Sequence, residues 1–273
     1  MVRLASTRAR MFRLALAAMA LTARCCTAAH AGAWLQDKGH WQIIASFEAS
    51  RANGGFDAQG HLDPTIKFDK LYVKCLVEYG WSDRVTLFAA PQYVIATSQP
   101  GRAQPITSLG DGAIEVGARV RLFHTFGVAS FESSYTSAGP SDLSNSRRLD
   151  SAQVSELRLL YGTNYRLLGR NGFLDLEAAE RFVSRPRPDE TVLDATAGLW
   201  LNPKTLLLVQ SFNTVSGANA MPPDTAFASN KVEVSMVRRL SERWSLQLGS
   251  FAVPAGRDAL MEQGVVAAFW ARL

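Results

Sequence analysis

The stretch Lys70-Leu71-Tyr72-Val73-Lys74-Cys75-Leu76-Val77-Glu78-Tyr79, followed by Gly80-Trp81-Ser82-Asp83, decides the fold. Every second residue from Leu71 to Tyr79 is apolar or aromatic, while Lys70, Lys74 and Glu78 fall on the intervening positions. An extended backbone sends alternate side chains to opposite faces, so this segment is a strand with oil on one side and charge on the other. Its length of about ten residues is what a tilted strand needs to cross a hydrocarbon layer.

The same period recurs along the chain. Trp41, Ile43, Ala45, Phe47 and Ala49 alternate with Gln42, Ser46 and Glu48, and Ile114 to Leu122 alternates with Glu115, Arg119 and Arg121. Val232, Val234 and Met236 alternate with Lys231, Glu233 and Ser235, and after a break at Val237 comes Arg239. Segments of this kind are expected near 40–50, 67–79, 84–96, 111–122, 126–137, 152–162, 172–184, 191–201, 205–215, 228–239, 244–254 and 263–273, twelve in all. Between them short turns such as 80–83, 123–125 and 202–204 alternate with longer polar links such as 51–66, 97–110 and 138–151. The links 163–171 and 185–190 depart from that rhythm. Even strand number, ten-residue segments and one-sided short turns predict an all-β fold, an antiparallel transmembrane β-barrel of about 12 strands with both termini in the periplasm. Trp41, Trp81, Trp200, Trp244 and Trp270, with Tyr79, Phe123 and Phe126, collect at the short-turn ends, where a membrane interface favours them. The last segment ends with Phe269, Ala271 and Leu273 on one face, placed to pair with the first strand and leave no open edge.

Charge adds a second reading. The chain of 273 residues has a formal net charge of +5, from 29 basic and 24 acidic residues. Arg3, Arg8, Arg10, Arg13 and Arg24 precede residue 32, and no acidic residue does. Without those five the remainder carries as many basic as acidic side chains, which removes the electrostatic case for a nucleic-acid partner. The basic start, the apolar run Leu14–Ala23 and Ala29-His30-Ala31 stand in the order of a signal peptide, so residues 1-31 are expected to be removed and 32-273 to form the barrel. Lipidation at Cys25 or Cys26 is the rival, set against by Arg24 where a small residue is wanted. Cys75 is then the one cysteine left, so no intramolecular disulfide is available.

Chemistry-bearing motifs are sparse. His40, His61 and His124 have no metal-ligand spacing, so neither a metal nor any other cofactor is expected. Ser144, in Asp142-Leu143-Ser144-Asn145-Ser146-Arg147, has no neighbouring His to activate it, and no enzyme is expected. Gly110-Asp111-Gly112 precedes a strand and completes no nucleotide-binding pattern. If the apolar faces meet lipid, the lumen receives Lys74, Glu78, Glu115, Arg119, Arg121, Glu156, Arg158, Asp175, Glu177, Arg181, Asp194, Glu233 and Arg239, together with Lys70, Glu132 and Arg272. Two readings of that set stand open: a pore lining that selects a solute, and an interior filled by Arg–carboxylate pairs.

Several motifs resemble a known family. Gly32-Ala33-Trp34 with Lys38-Gly39-His40-Trp41-Gln42, Glu78-Tyr79-Gly80-Trp81-Ser82-Asp83-Arg84-Val85-Thr86-Leu87, and Leu109-Gly110-Asp111-Gly112 with Glu115-Val116-Gly117-Ala118-Arg119 are similar to stretches of XagA-type and related "transporter" outer-membrane barrels. That resemblance implies a bacterial outer-membrane protein associated with exopolysaccharide or with uptake of hydrophobic compounds. The expected function is passive passage or export assistance for a small solute or exopolysaccharide. The alternatives are a non-conducting structural component of a polysaccharide export system and an outer-membrane lipid hydrolase. Expected partners are outer-membrane lipid and lipopolysaccharide (the Arg185-Pro186-Arg187 loop could meet its phosphates), the barrel assembly machinery and polysaccharide export proteins.

Overall fold

The computed structural model describes residues 32–64, 66–100, 106–109, 112–139, 152–221 and 224–273. The candidate signal segment 1–31, Gly110-Asp111 and the Ser144 stretch lie outside them. Gly32–Leu273 forms one compact unit.

Alternation becomes strand after strand. The elements are β1 (Trp41–Phe56), β2 (Leu62–Asp63), β3 (Ile66–Ser82), β4 (Val85–Pro100), β5 (Ile106–Leu109), β6 (Ala113–Phe123) and β7 (Val128–Gly139). They continue with β8 (Ala152–Leu167), β9 (Arg170–Val183), β10 (Glu190–Asn202), β11 (Thr205–Ser216), β12 (Ala228–Arg239), β13 (Trp244–Arg257) and β14 (Ala259–Arg272). β2 and β5 are short ribs paired to β1 and β4; the other twelve form the wall, each antiparallel to the next. β14 pairs with β1 from Gln42↔Arg272 to Phe56↔Ala259 and closes the barrel. The two ends are tied by Trp41 N–H donating to Leu273 O at 2.9 Å and Leu273 N–H to Trp41 O at 3.0 Å. Closure gives every wall strand two partners, the condition for a sheet to stand in hydrocarbon.

Burial is inverted relative to a water-soluble fold, in which charge stays outside. Val73, Leu87, Val116, Leu157, Leu159, Val234, Met236, Leu248 and Val265 are exposed on the outer face, whereas Lys70, Glu78, Arg119, Glu132, Glu156, Arg158, Asp175, Glu233 and Glu262 are buried inside. Each exposed aliphatic side chain gains about 1.5–3 kcal/mol when lipid replaces water around it. No described helix is long and apolar enough to cross a membrane; the apolar belt belongs to strands.

Strand ends depart from the alternation. β1 runs on to Phe56, β4 to Pro100 and β8 to Leu167, where alternation had predicted ends at 50, 96 and 162. Alternation is enforced only where the outward face meets oil; beyond that belt the outward positions are free to be polar and the ladder continues without a sequence trace. The apparent link 163–171 is therefore a two-residue turn, with Leu168 and Gly169 both at positive φ, the geometry of a twisted hairpin. The apparent loop 255–262 shrinks to Asp258 between β13 and β14.

The aromatic belt is corrected in two places. Trp41, Trp81, Trp244, Phe123 and Phe126 are exposed, with Trp41 packed on Tyr79 at 4.5 Å and Trp244 stacked on Phe269 at 5.1 Å. Trp270 instead turns inward, is buried, and donates Nε1–H to Gln247 Oε1 at 3.1 Å. Trp200 lies beneath the Arg239 guanidinium at 5.2 Å. Position at a strand end located both; the parity that sends them inward was not read.

Candidate functional site

Adjacent strands are staggered so that inward side chains of β3, β6, β7, β8, β9 and β10 meet at similar depth, and charges of opposite sign converge there. Arg119 on β6 sits between Glu78 on β3, at 3.1 Å, and Glu132 on β7, at 2.7 Å. Arg158 on β8 touches Glu156 at 2.6 Å, Asp194 on β10 at 3.0 Å, and Glu177 on β9. Arg181 on β9 takes the other oxygen of Glu156 at 2.6 Å and reaches Glu190 at 3.5 Å, which also holds Arg187 at 3.0 Å. Lys74 on β3 pairs with Glu115 on β6 at 2.9 Å, and it remains the most open of these cations, with 31% of its side chain accessible. Planar guanidiniums with several donors suit a belt in which one cation serves two or three carboxylates.

The remaining candidates lie apart from this belt. Glu233 and Gln247 meet at 3.3 Å on the β12–β13 side, and Arg239 covers Trp200. Arg121 shares its strand face with Arg119 but sits at the rim and donates to the carbonyl of Asp83 in the β3–β4 turn.

Residues missed from the sequence complete the lining. Lys231 on β12 crosses to Glu48 on β1 at 2.9 Å and stands 4.0 Å from the centre of the Phe251 ring. Both charges stood on polar faces of alternating segments, so the signal was present. Glu262 was hidden by its assignment to a loop; it is a β14 residue paired with Lys70 at 2.8 Å. Toward the long-loop end the lining turns apolar, and Ala52, Ile66, Phe68, Tyr72, Val94, Ala96 and Leu260 pack on one another.

The largest omission is a strap. Residues 32–39 fold back from the start of β1 into the short-turn end of the lumen. Lys38 bridges Gly80, with Gly39 N–H donating to Gly80 O at 2.8 Å. Gln36 then bonds through its backbone N–H to Thr86 Oγ1 at 2.9 Å and through Nε2 to Glu78 at 2.8 Å. Arg119 donates to Trp34 O at 3.1 Å, and Ser130 to Ala33 O at 2.6 Å. Trp34 meets Phe173 edge-on at 5.7 Å and occupies the space a side chain at Gly162 would need, 2.5 Å from its own ring. Ala33 N–H donates to Asp175 Oδ1 at 3.0 Å. The strap thus crosses from β3 and β4 to β8 and β9, over the charge belt. No described group of His, Cys, Asp and Glu has the arrangement of a metal site.

No protein-family model and no curated protein matches the chain. Solved structures do. The chain is similar to the COG4313 outer membrane channel from Pseudomonas putida F1, at 13% identity and a TM-score of 0.70, over 90% of this chain and 100% of that one. It is also similar to the translocator domain of the autotransporter NalP from Neisseria meningitidis, at 11% identity and a TM-score of 0.54, over 98% of each chain. The fold is that of outer-membrane β-barrels.

Proposed function

We propose that the chain resides in the bacterial outer membrane with its termini and strap on the periplasmic side, and that it is a narrow passive channel for small solutes, closed at rest. The carrying observation is the layered lumen: a packed apolar cluster toward the long-loop end, a belt of paired charges in the middle and the strap across the other mouth. The likeness to a solved outer-membrane channel supports passage. The belt's carboxylates outnumber the cations that pair with them, which supports a mild preference for small cations. A small solute suits this interior better than a glycan chain, which would have to displace strap and belt together. Kinship with XagA-type proteins, a lack of enzymatic activity, and lipopolysaccharide and assembly-machinery partners belong to the same proposal.

One observation favours a second reading. The Arg119–Glu78–Glu132 and Arg158–Glu156 groups are almost wholly buried, as in an interior that satisfies itself, and this favours a non-conducting structural barrel. Recording of single barrels in planar bilayers tests the proposal. Brief, small openings that become long and larger when residues 32–39 are deleted support the channel. Silence of both proteins at all voltages overturns it in favour of the structural barrel.

A further inference from the structure

Asp175 is the least explained charge in the lumen. It is 2% exposed, lies against the Glu177 carboxyl, and among the described residues has no Lys, Arg or His within ion-pair distance. Across the belt the carboxylates Glu78, Glu132, Glu156, Glu177, Glu190 and Asp194 outnumber the guanidiniums that serve them. A buried carboxylate costs several kcal/mol unless a proton or a positive group neutralises it, and a cation in this recess would serve Asp175 and Glu177 together.

The nearest backbone belongs to Gly32. A Cβ built on Gly32 would fall 1.6 Å from Asp175 Oδ2, so the chain at this residue is pressed against the carboxylate and space alone calls for glycine. The next amide, Ala33 N–H, already donates to the other oxygen, Asp175 Oδ1.

We infer that the Asp175 recess is a binding site for the α-ammonium group of the chain's own processed N-terminus at Gly32. Hydrolysis of the Ala31–Gly32 peptide bond by a signal peptidase consumes one water, leaves a carboxylate on Ala31 and gives Gly32 an amine that takes up a proton at neutral pH. That ammonium brings one positive charge and three donors to a pair of carboxylates that hold one donor from the strap backbone. Before cleavage the same nitrogen is a neutral amide with a single hydrogen, so only the processed chain brings a positive charge to the recess. Processing therefore locks the strap across the lumen, and this holds whether or not the lumen conducts.

The test uses protein purified from outer membranes after expression with residues 1–31 intact. Intact mass gives the start of the chain, and acetylation by an amine-reactive ester at neutral pH, followed by peptide mass spectrometry, gives the reactivity of its α-amine. The expected result is a start at Gly32 with an α-amine that reacts more than about tenfold slower in the folded barrel than after heat unfolding, the factor one charge-assisted hydrogen bond carries. Asp175→Asn is expected to abolish the protection while the barrel keeps its heat-modifiable migration. Should Asp175→Asn fail to fold, Gly32→Ala serves in its place, since its methyl group would meet Asp175 Oδ2 and push the N-terminus out of the recess while leaving every wall residue unchanged. A different starting residue overturns the proposal, as does equal reactivity in folded and unfolded protein. Protection that survives substitution in a folded barrel overturns it equally.

Discussion

Lys70 Nζ stands 2.8 Å from Glu262 Oε1, and neither side chain has any accessible surface. Lys70 reaches from β3 past β1 to β14, so this pair spans the seam where the last strand meets the first. Ser50 of β1, buried beside it, donates to the same oxygen of Glu262. Removing one partner strands a charge: Lys70→Met or Glu262→Gln is expected to cost about 3–5 kcal/mol of barrel stability, whereas Lys70→Met with Glu262→Leu recovers most of the loss. Urea titration of the detergent-solubilised barrel, followed by heat-modifiable migration, measures all three. Equal stability of the single variants would refute the seam assignment.

Arg119 neutralises Glu78 and Glu132 and holds the strap at Trp34 O. Arg119→Ala therefore removes a cation and loosens the closure at once. Conductance is expected to rise, and the reversal potential in a salt gradient should move toward cation preference. Arg119→Lys should restore the charge balance but not the closure, because an ammonium cannot form the same forked contacts. An unchanged reversal potential in Arg119→Ala would separate this cluster from the conduction path.

Cys75 stands on the outward face of β3, opposite Ala45 of β1, at mid-strand. In proteoliposomes it should react with a lipid-soluble maleimide and resist a charged one applied from either side. Rapid labelling by the charged reagent would place that face on water and overturn the orientation of every wall strand.

Asp57, just beyond β1, accepts hydrogen bonds from the backbone N–H groups of His61, at 2.8 Å, and Gln59, at 2.9 Å. The His61 bond, aided by Gln59, holds its carboxyl below the ordinary value of 3.8. A lowered folded value means the turn is favoured above about pH 3.8 and loses that support as pH falls through the lowered value beneath it. Pepsin cleavage within 57–64 is expected to appear only in that acid range, and Asp57→Asn should remove the pH dependence. Cleavage with the same profile in Asp57→Asn would show that another group controls the turn.

The wall was legible wherever hydrocarbon constrains it. Leu71 to Tyr79 and Ile114 to Leu122 declare their faces because each outward position must be apolar, and twelve wall strands follow from counting such segments. Strand continuations such as Ala52–Phe56 and Thr163–Leu167 left no pattern, since beyond the hydrocarbon belt their outward positions need not be apolar. Within the lumen, alternation marks which charges point inward but not how they pair. Glu48–Lys231 and Lys70–Glu262 are set by stagger and closure, which join residues 183 and about 190 positions apart. The strap was least legible. Gly32-Ala33-Trp34 has no period, and its place depends on absences elsewhere: no side chain at Gly162 and none at Gly32 itself.

Because the strap is joined to β1 by a few residues, it behaves as a ligand that never leaves. A tether this short corresponds to an effective concentration on the order of millimolar. A solute entering from the strap side must compete with that standing occupant, so traffic should half-saturate at a higher solute concentration than in a barrel without the strap.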